Sequence, residues 1–168
     1  RNAGITDVSI HHIPGDLTDN YNPREHTLNL SDKVYGSRSI AAIGVAAHEC
    51  GHAIQHARHY VPLTVRSAII PAANIGSSFA WPLVLIGLII PRLNFCMTIG
   101  ILLFSLVVIL QLVTLPVEFN ASRRAIQIIR DSGYLAPDEL KGAKSVLKAA
   151  AMTYVAAMVS VSLQLLRL

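Results

Sequence analysis

The chain has 168 residues, and this length predicts that residues 1–168 form one domain. It is 52% hydrophobic but only 14% charged, whereas soluble domains usually carry roughly 25% charged residues, so the composition excludes an ordinary soluble protein and indicates a membrane protein. The formal net charge is +4, but the basic residues are scattered and have few aromatic neighbours, which argues against nucleic-acid binding.

The first 35 residues are polar and rich in turn-forming residues. They include HIPGDLTDNYNPRE, in which Pro, Gly, Asn and Asp predict a long loop. Two short alternating stretches, DVSI and TLNLS, flank this loop and predict two strands. The sequence therefore predicts a small N-terminal β-hairpin ahead of a mainly α-helical chain.

The next predicted element is a helix from Ser37 to about Ala57. Its apolar residues recur near helical spacing, and no proline interrupts them. The helix contains HECGH, in which His48 and His52 are four residues apart. Imidazoles at this spacing project from one helix face and can bind one metal ion, for which zinc is the natural occupant. A plainer interpretation treats both histidines as hydrogen-bonded residues of a packed helix.

Glu49 directly follows the first histidine and points to the side of the histidine pair. A carboxylate at this position can take a proton from a metal-bound water, which is the task of a general base. The motif therefore predicts Glu49 as the catalytic residue, and the plainer interpretation makes it a surface acid.

Two long apolar runs follow the motif. The first covers 24 residues, 67–90, and contains Pro71 and Pro82, and the second covers 21 residues without charge, 95–115. Each run is long enough, at 1.5 Å per helical residue, to cross roughly 30 Å of hydrocarbon. Residues 67–115 are therefore predicted to form a transmembrane hairpin.

Charged residues return after Pro116, where the sequence predicts a kink or a new helix start and then a helix over residues 116–133. Pro137 is followed by two acidic residues, a pattern typical of a helix start. The 18 uncharged residues 149–166 are at the short limit for a membrane span. Residues 137–168 therefore predict a third transmembrane helix.

A catalytic zinc ion needs a third protein ligand. His56 lies eight residues after His48, roughly 12 Å along the helix axis, which is too far for both to bind one ion. Glu118 is the better candidate, because it is the only acid between Glu49 and Asp131 and because two membrane crossings return the chain to the side of the motif. In the alternative interpretation Glu118 is an interfacial acid that pairs with one of the arginines following it.

Several stretches of the sequence resemble one known family. The most specific are VAAHECGHAIQH and QLVTLPVEFNASRRA, and PGDLTDNYNPRE, TLNLS and AAAMTYVAA extend the similarity over nearly the whole chain. The chain thus resembles the bacterial integral-membrane family called putative neutral zinc metallopeptidase. This resemblance implies a gluzincin-like zinc site with His48, His52 and Glu118 as metal ligands and Glu49 as general base. A further N-terminal membrane helix normally precedes this region in the family, so the resemblance also implies that this chain lacks that helix.

The third-ligand helix is also similar, more distantly, to that of membrane prenyl-protease-like gluzincins. That helix reads E-x-x-A-D in those proteins, whereas Ser122 stands at the last position here. The carboxylate that would orient a zinc-binding histidine is therefore not expected at this position. Asn120 or another group is expected to orient the histidine instead.

The resemblance also concerns substrate binding. TLNLS sits where zincins place an edge strand that pairs with the substrate backbone, although it can equally be part of a structural hairpin. A group that stabilises the oxyanion is expected as well. The candidates for this group are Tyr154, His11, His12, His26 and His56.

The distribution of basic residues predicts the orientation in the membrane. Eight arginines and lysines are expected on the side of the active site, and Arg92 and Arg167 on the opposite side. By the positive-inside rule, the active site faces the cytoplasm. Cys50 and Cys96 predict no disulfide, which suits a reducing compartment. The expected location is the inner membrane of a bacterium.

Two hypotheses of function follow from the sequence. The first is a zinc-dependent membrane endopeptidase that hydrolyses peptide bonds in membrane-associated protein or peptide substrates. The second is a non-catalytic membrane scaffold or partner-binding subunit with a vestigial zinc site. Glu49 favours the first hypothesis, because a site kept only for structure needs no general base.

Overall fold

The computed structural model describes residues 4–168, in which four α-helices follow a small three-stranded sheet. The predicted fold class, a mainly helical protein with a small N-terminal β-structure and about three long apolar helices, is confirmed. The described residues form two compact units. The first contains the chain up to Tyr60 together with Val117–Met152, and the second contains Val61–Pro116 and Thr153–Leu168. That residues 1–168 act as one domain stays a prediction.

The sheet of the first unit consists of β1 (Ser9–His12), β2 (Asn20–Asn22) and β3 (Thr27–Leu30). β3 is the central strand, and it is parallel to β1 and antiparallel to β2. The two predicted strands, DVSI and TLNLS, correspond to β1 and β3. They pair in parallel, so they do not form the predicted hairpin. The antiparallel partner of β3 is β2, a strand that the sequence did not predict.

Two further expectations for this region are wrong. The segment ahead of TLNLS is not one long loop, because β2 lies within it. Oδ1 of Asn20 accepts a hydrogen bond from Asn29 at 3.0 Å across the two strands, and the carboxylate of Asp19 accepts from the amide and hydroxyl of Ser31 at 2.7 and 2.9 Å. These bonds order a segment whose composition alone favours a loop. TLNLS is also not an edge strand, because β3 has a hydrogen-bonded neighbour on each side.

Helix α1 (Ile40–Ala57) carries the HECGH motif. The hydroxyl of Ser39 accepts a hydrogen bond from the amide of Ala42 at 3.2 Å, which caps the first turn. The helix therefore begins at Ile40 rather than at Ser37. β2 and β3 pack against α1.

The first unit also contains the last part of α3 (Asn94–Ser132) and the first part of α4 (Pro137–Arg167). Their apolar faces pack with α1 into one buried cluster. Its members are Ala47, Ala125, Ile129, Ala143 and Leu147. Most of these side chains are small, so the helices can approach one another closely.

α1 and α3 approach each other closely at Gly51. A Cβ atom at this position would lie 2.5 Å from the carbonyl oxygen of Ala121, well inside van der Waals contact. Ala121 itself is fully buried. The packing of these two helices therefore requires a residue without a side chain at position 51.

The second unit contains α2 (Val61–Ile89), the first part of α3 and the last part of α4. A short 3₁₀ turn, Pro91–Leu93, connects α2 to α3. A Cβ atom at Gly76 of α2 would lie 2.8 Å from the carbonyl oxygen of Leu103 on α3. The two backbones thus touch at a small residue, as is common between membrane helices.

Within the described part of the chain, three helical segments are long and apolar enough to cross a membrane: Val61–Ile89, Pro91–Ser132 and Pro137–Arg167. α2 continues through Pro71 and Pro82, and α3 continues through Pro116, so Pro116 does not start a new helix. In hydrocarbon a broken helix would leave backbone N–H and C=O groups without a hydrogen-bond partner. This cost favours continuation of each helix past its prolines.

We expect Gly51→Ala to lower the thermal unfolding midpoint of the detergent-solubilised protein. The added methyl group would meet the Ala121 backbone, and overpacking of this kind costs about 1–3 kcal/mol. Gly44→Ala is the matched control on the same helix, because its Cβ atom would meet only the side chain of Leu147 at 3.9 Å. Scanning fluorimetry of both variants measures the difference. Equal midpoints for the two variants would contradict the close contact at Gly51.

Candidate metal centre

The candidate site is built from one turn of α1 and one turn of α3. His48 and His52 lie on the same face of α1, as their spacing predicts, and Glu118 faces them from α3. Oε2 of Glu118 lies 3.1 Å from Nε2 of His48 and 3.6 Å from Nε2 of His52. One possible ligand atom from each of these residues lies within 4.8 Å of the other two. The three residues, hereafter the metal triad, could therefore hold one metal ion.

The chemistry of the metal triad suits zinc. Two imidazole nitrogens and one carboxylate oxygen form the donor set of many catalytic zinc sites. The rings of His48 and His52 meet edge to face, with centroids 4.7 Å apart. The side chain of Glu118 is only 3% exposed, and a buried carboxylate needs a positive partner. The residues present therefore fit a zinc ion.

The remaining ring nitrogens of the two histidines also have partners. Nδ1 of His48 lies 3.2 Å from the hydroxyl of Ser122, and Nδ1 of His52 lies 3.0 Å from Oε1 of Gln55. Such outer contacts orient metal-binding histidines so that the other nitrogen faces the ion. Asn120, one of the groups expected to orient a histidine, instead accepts a hydrogen bond from Gln55.

Glu49 follows His48 on α1 and is buried, with 8% of its surface exposed. Burial raises the pKa of the Glu49 carboxyl group, and the neighbouring His52 and His48 partly oppose this effect. A carboxylate with a raised pKa is a stronger base than an ordinary glutamate. This property suits a general base.

The surroundings of His52 have two opposing effects on the pKa of its imidazole. Burial lowers the pKa of its imidazole, but the carboxylate of Glu118, whose Oε2 lies 3.6 Å from Nε2 of His52, outweighs burial, so the pKa is raised overall. A proton and a metal ion therefore compete for this side chain, and acid favours the proton.

The four histidines considered for the oxyanion role have partners of their own. His11, His12, His26 and His56 form hydrogen bonds, in that order, with Ser9, Asp32, Asp7 and Tyr21. Within residues 4–168, the metal triad is the only group of three or more His, Cys, Asp or Glu side chains placed to hold an ion. The role of Tyr154, which belongs to the second unit, stays a prediction.

Gln55 is a residue of this site that sequence reasoning misses. It lies three residues after His52 on α1, so helical spacing alone places the two side chains together. Glutamine, however, is neither an acid, a base nor a usual zinc ligand. The residue type therefore gives no reason to select it among the other residues of the helix.

Comparisons with known proteins agree with the chemistry of the site. The family model described as putative neutral zinc metallopeptidase matches residues 1–168. A relative from Bacillus subtilis (strain 168), named putative membrane protease YugP, is 48% identical over 164 residues, which cover 98% of this chain and 72% of the relative. No solved structure matches the chain.

We expect Glu118→Ala to lower the zinc content of the purified protein sharply. Loss of an outer partner alone typically lowers metal affinity about 10–100-fold, and loss of one of three ligands removes a direct bond. Glu139→Ala is the control, because Glu139 is an exposed residue whose carboxylate accepts a hydrogen bond from the amide of Ala136 at 2.8 Å. Elemental analysis after dialysis measures zinc in both variants. Equal zinc contents would exclude Glu118 from the site.

Proposed function

The chain belongs to the putative neutral zinc metallopeptidase family, and on that premise we propose that it is a zinc-dependent membrane endopeptidase. The observation that carries the proposal is the convergence of His48, His52 and Glu118 next to the buried Glu49. In this proposal the metal triad binds zinc and Glu49 is the general base. The substrates are membrane-associated proteins or peptides, and the name of the relative, a membrane protease, supports this class.

Each residue of the site has a defined task in peptide hydrolysis. The metal triad would hold zinc, which would supply a Lewis acid able to lower the pKa of water to about 7 and to polarise the peptide carbonyl. Glu49 takes a proton from the attacking water and returns it to the departing amine. Burial assists the first of these steps, because a carboxylate with a raised pKa is a stronger base toward the proton of water.

The composition of the site favours catalysis over a structural role for zinc. Structural zinc sites have four protein ligands, whereas catalytic sites have three and an open position. Among the described residues the metal triad offers three ligands. Glu49 adds a buried acid that is not a member of the triad. Burying an acid lowers the stability of the fold, and a protein that serves only as a scaffold gains nothing from it.

We place the protein in the bacterial inner membrane, with its active site toward the cytoplasm. The three segments that can cross a membrane support the location. The basic residues support the orientation, because only Arg92 and Arg167 are assigned to the side opposite the active site, against eight on the same side. In this arrangement residues 1–168 act as one metallopeptidase domain.

We expect Glu49→Gln to retain zinc but to lower peptide hydrolysis by about 10²–10⁴-fold, the usual contribution of a general base. Zinc content and casein cleavage are measured on the same preparation, with and without a chelator. Glu25→Gln, at an exposed residue of the first unit, is the control and should keep wild-type activity. A Glu49→Gln variant with stoichiometric zinc and undiminished, chelator-sensitive cleavage would contradict the assignment of Glu49 as general base. Absence of chelator-sensitive cleavage by the zinc-loaded wild-type protein would contradict the enzyme proposal.

The orientation is tested by single cysteines in a Cys50→Ala, Cys96→Ala background. Arg92→Cys should react with a membrane-impermeant maleimide in intact spheroplasts. Lys141→Cys, at a side chain that is 79% exposed, should react only after lysis. The reverse pattern would place the active site outside the cytoplasm.

A further inference from the structure

A chain of hydrogen bonds behind His52 connects α1 to α3. Its central member is Gln55, which is 0% exposed. Oε1 of Gln55 lies 3.0 Å from Nδ1 of His52. Nε2 of Gln55 donates to the backbone carbonyl of Val117 at 2.7 Å and to Oδ1 of Asn120 at 3.1 Å. Both ends of the Gln55 amide therefore have partners.

The partners fix which way the amide of Gln55 points. The carbonyl of Val117 can only accept a hydrogen bond, so the atom of Gln55 that faces it must be the nitrogen. Arg124 fixes Asn120 in the same manner, because its Nε can only donate and does so to Oδ1 of Asn120 at 2.7 Å. That oxygen also receives the second hydrogen of Gln55.

These assignments fix the direction of the hydrogen bond between Gln55 and His52. Both amide hydrogens of Gln55 are used on α3, so its oxygen is the atom that faces His52. An amide oxygen accepts, so Nδ1 of His52 must carry the hydrogen, and in a neutral imidazole Nε2 then keeps its lone pair on the side of Glu118. We propose that Gln55 is a positioning residue that holds His52 in the Nδ1-protonated tautomer, ready to bind a metal ion through Nε2. This inference rests on the proposed zinc site.

His48 lacks an equivalent arrangement. Its Nδ1 lies 3.2 Å from the hydroxyl of Ser122, and a hydroxyl can either donate or accept. Ser122 therefore orients the ring of His48 without selecting a tautomer. We expect Ser122→Ala to lower zinc affinity less than the removal of the Gln55 acceptor does.

Two substitutions at Gln55 separate positioning from a purely structural link between α1 and α3. Gln55→Glu keeps an acceptor for His52 but loses the hydrogens that Gln55 donates to Val117 and Asn120. Gln55→Met is similar in size and loses both the acceptor and these donors. Positioning predicts zinc affinity close to or above wild type for Gln55→Glu and a fall of about 10–100-fold for Gln55→Met. A structural link predicts the same fall in both variants.

Zinc affinity is measured on the full chain in detergent by competition with a chelator, and the unfolding midpoint is recorded for each variant. A higher affinity for Gln55→Glu than for Gln55→Met, at similar midpoints, supports the role of Gln55. Equal losses in the two variants overturn it.

Nitrogen-15 spectra of the histidine-labelled, zinc-loaded wild-type protein test the same inference without a variant at Gln55. We expect Nδ1 of His52 to be protonated and Nε2 to be bound to zinc, with His52→Gln used to assign the signals. Zinc on Nδ1 overturns the inference. A protein that binds zinc in the expected tautomer but cleaves no peptide would contradict the endopeptidase proposal alone and would leave the role of Gln55 intact.

Discussion

The contact of Gly51 with the backbone of Ala121 is the constraint on which the site depends. Gly51 lies within the turn that carries His48 and His52, and Ala121 lies within the turn that follows Glu118. Helix backbones are rigid, so the distance between these two turns sets the distance between the side chains they present. A larger residue at position 51 would push the turns apart and separate the carboxylate from both imidazoles. A residue with no chemistry of its own therefore determines whether the metal triad can form.

Much of the site could be predicted because helical geometry and the small number of acidic residues both limited the candidate ligands. The spacing of His48 and His52 defines a shared face on any helix. Glu118 could be predicted because the chain offers a single acid over a long interval and because membrane crossings decide which segments can meet. Gln55 could not, since its function depends on the carbonyl of Val117, 62 residues away along the chain. Partners of that kind exist only once the fold is formed.

In the fold, too, features set by the local sequence could be predicted, and features that depend on partners elsewhere in the chain could not. The apolar runs predict long helices because hydrocarbon leaves a chain few alternatives to internal hydrogen bonding. For this reason Pro116, which ends many helices in water, does not end α3. β2 could not be predicted, because its composition favours a loop and its order comes from side-chain bonds of Asp19 and Asn20 to neighbouring segments. Turn propensity is weak enough to be outweighed by a few such bonds.

The sequence separation within the metal triad has a consequence for biosynthesis. His48 and Glu118 are 70 residues apart, and the whole of Val61–Pro116 is translated between the two segments of the first unit. During translation both histidines leave the ribosome well before Glu118 is made. A nascent chain therefore has two residues of the metal triad, and no complete triad, until Val61–Pro116 has been synthesised. In the proposed protease this order delays hydrolytic activity until the residues of Val61–Pro116 have been made.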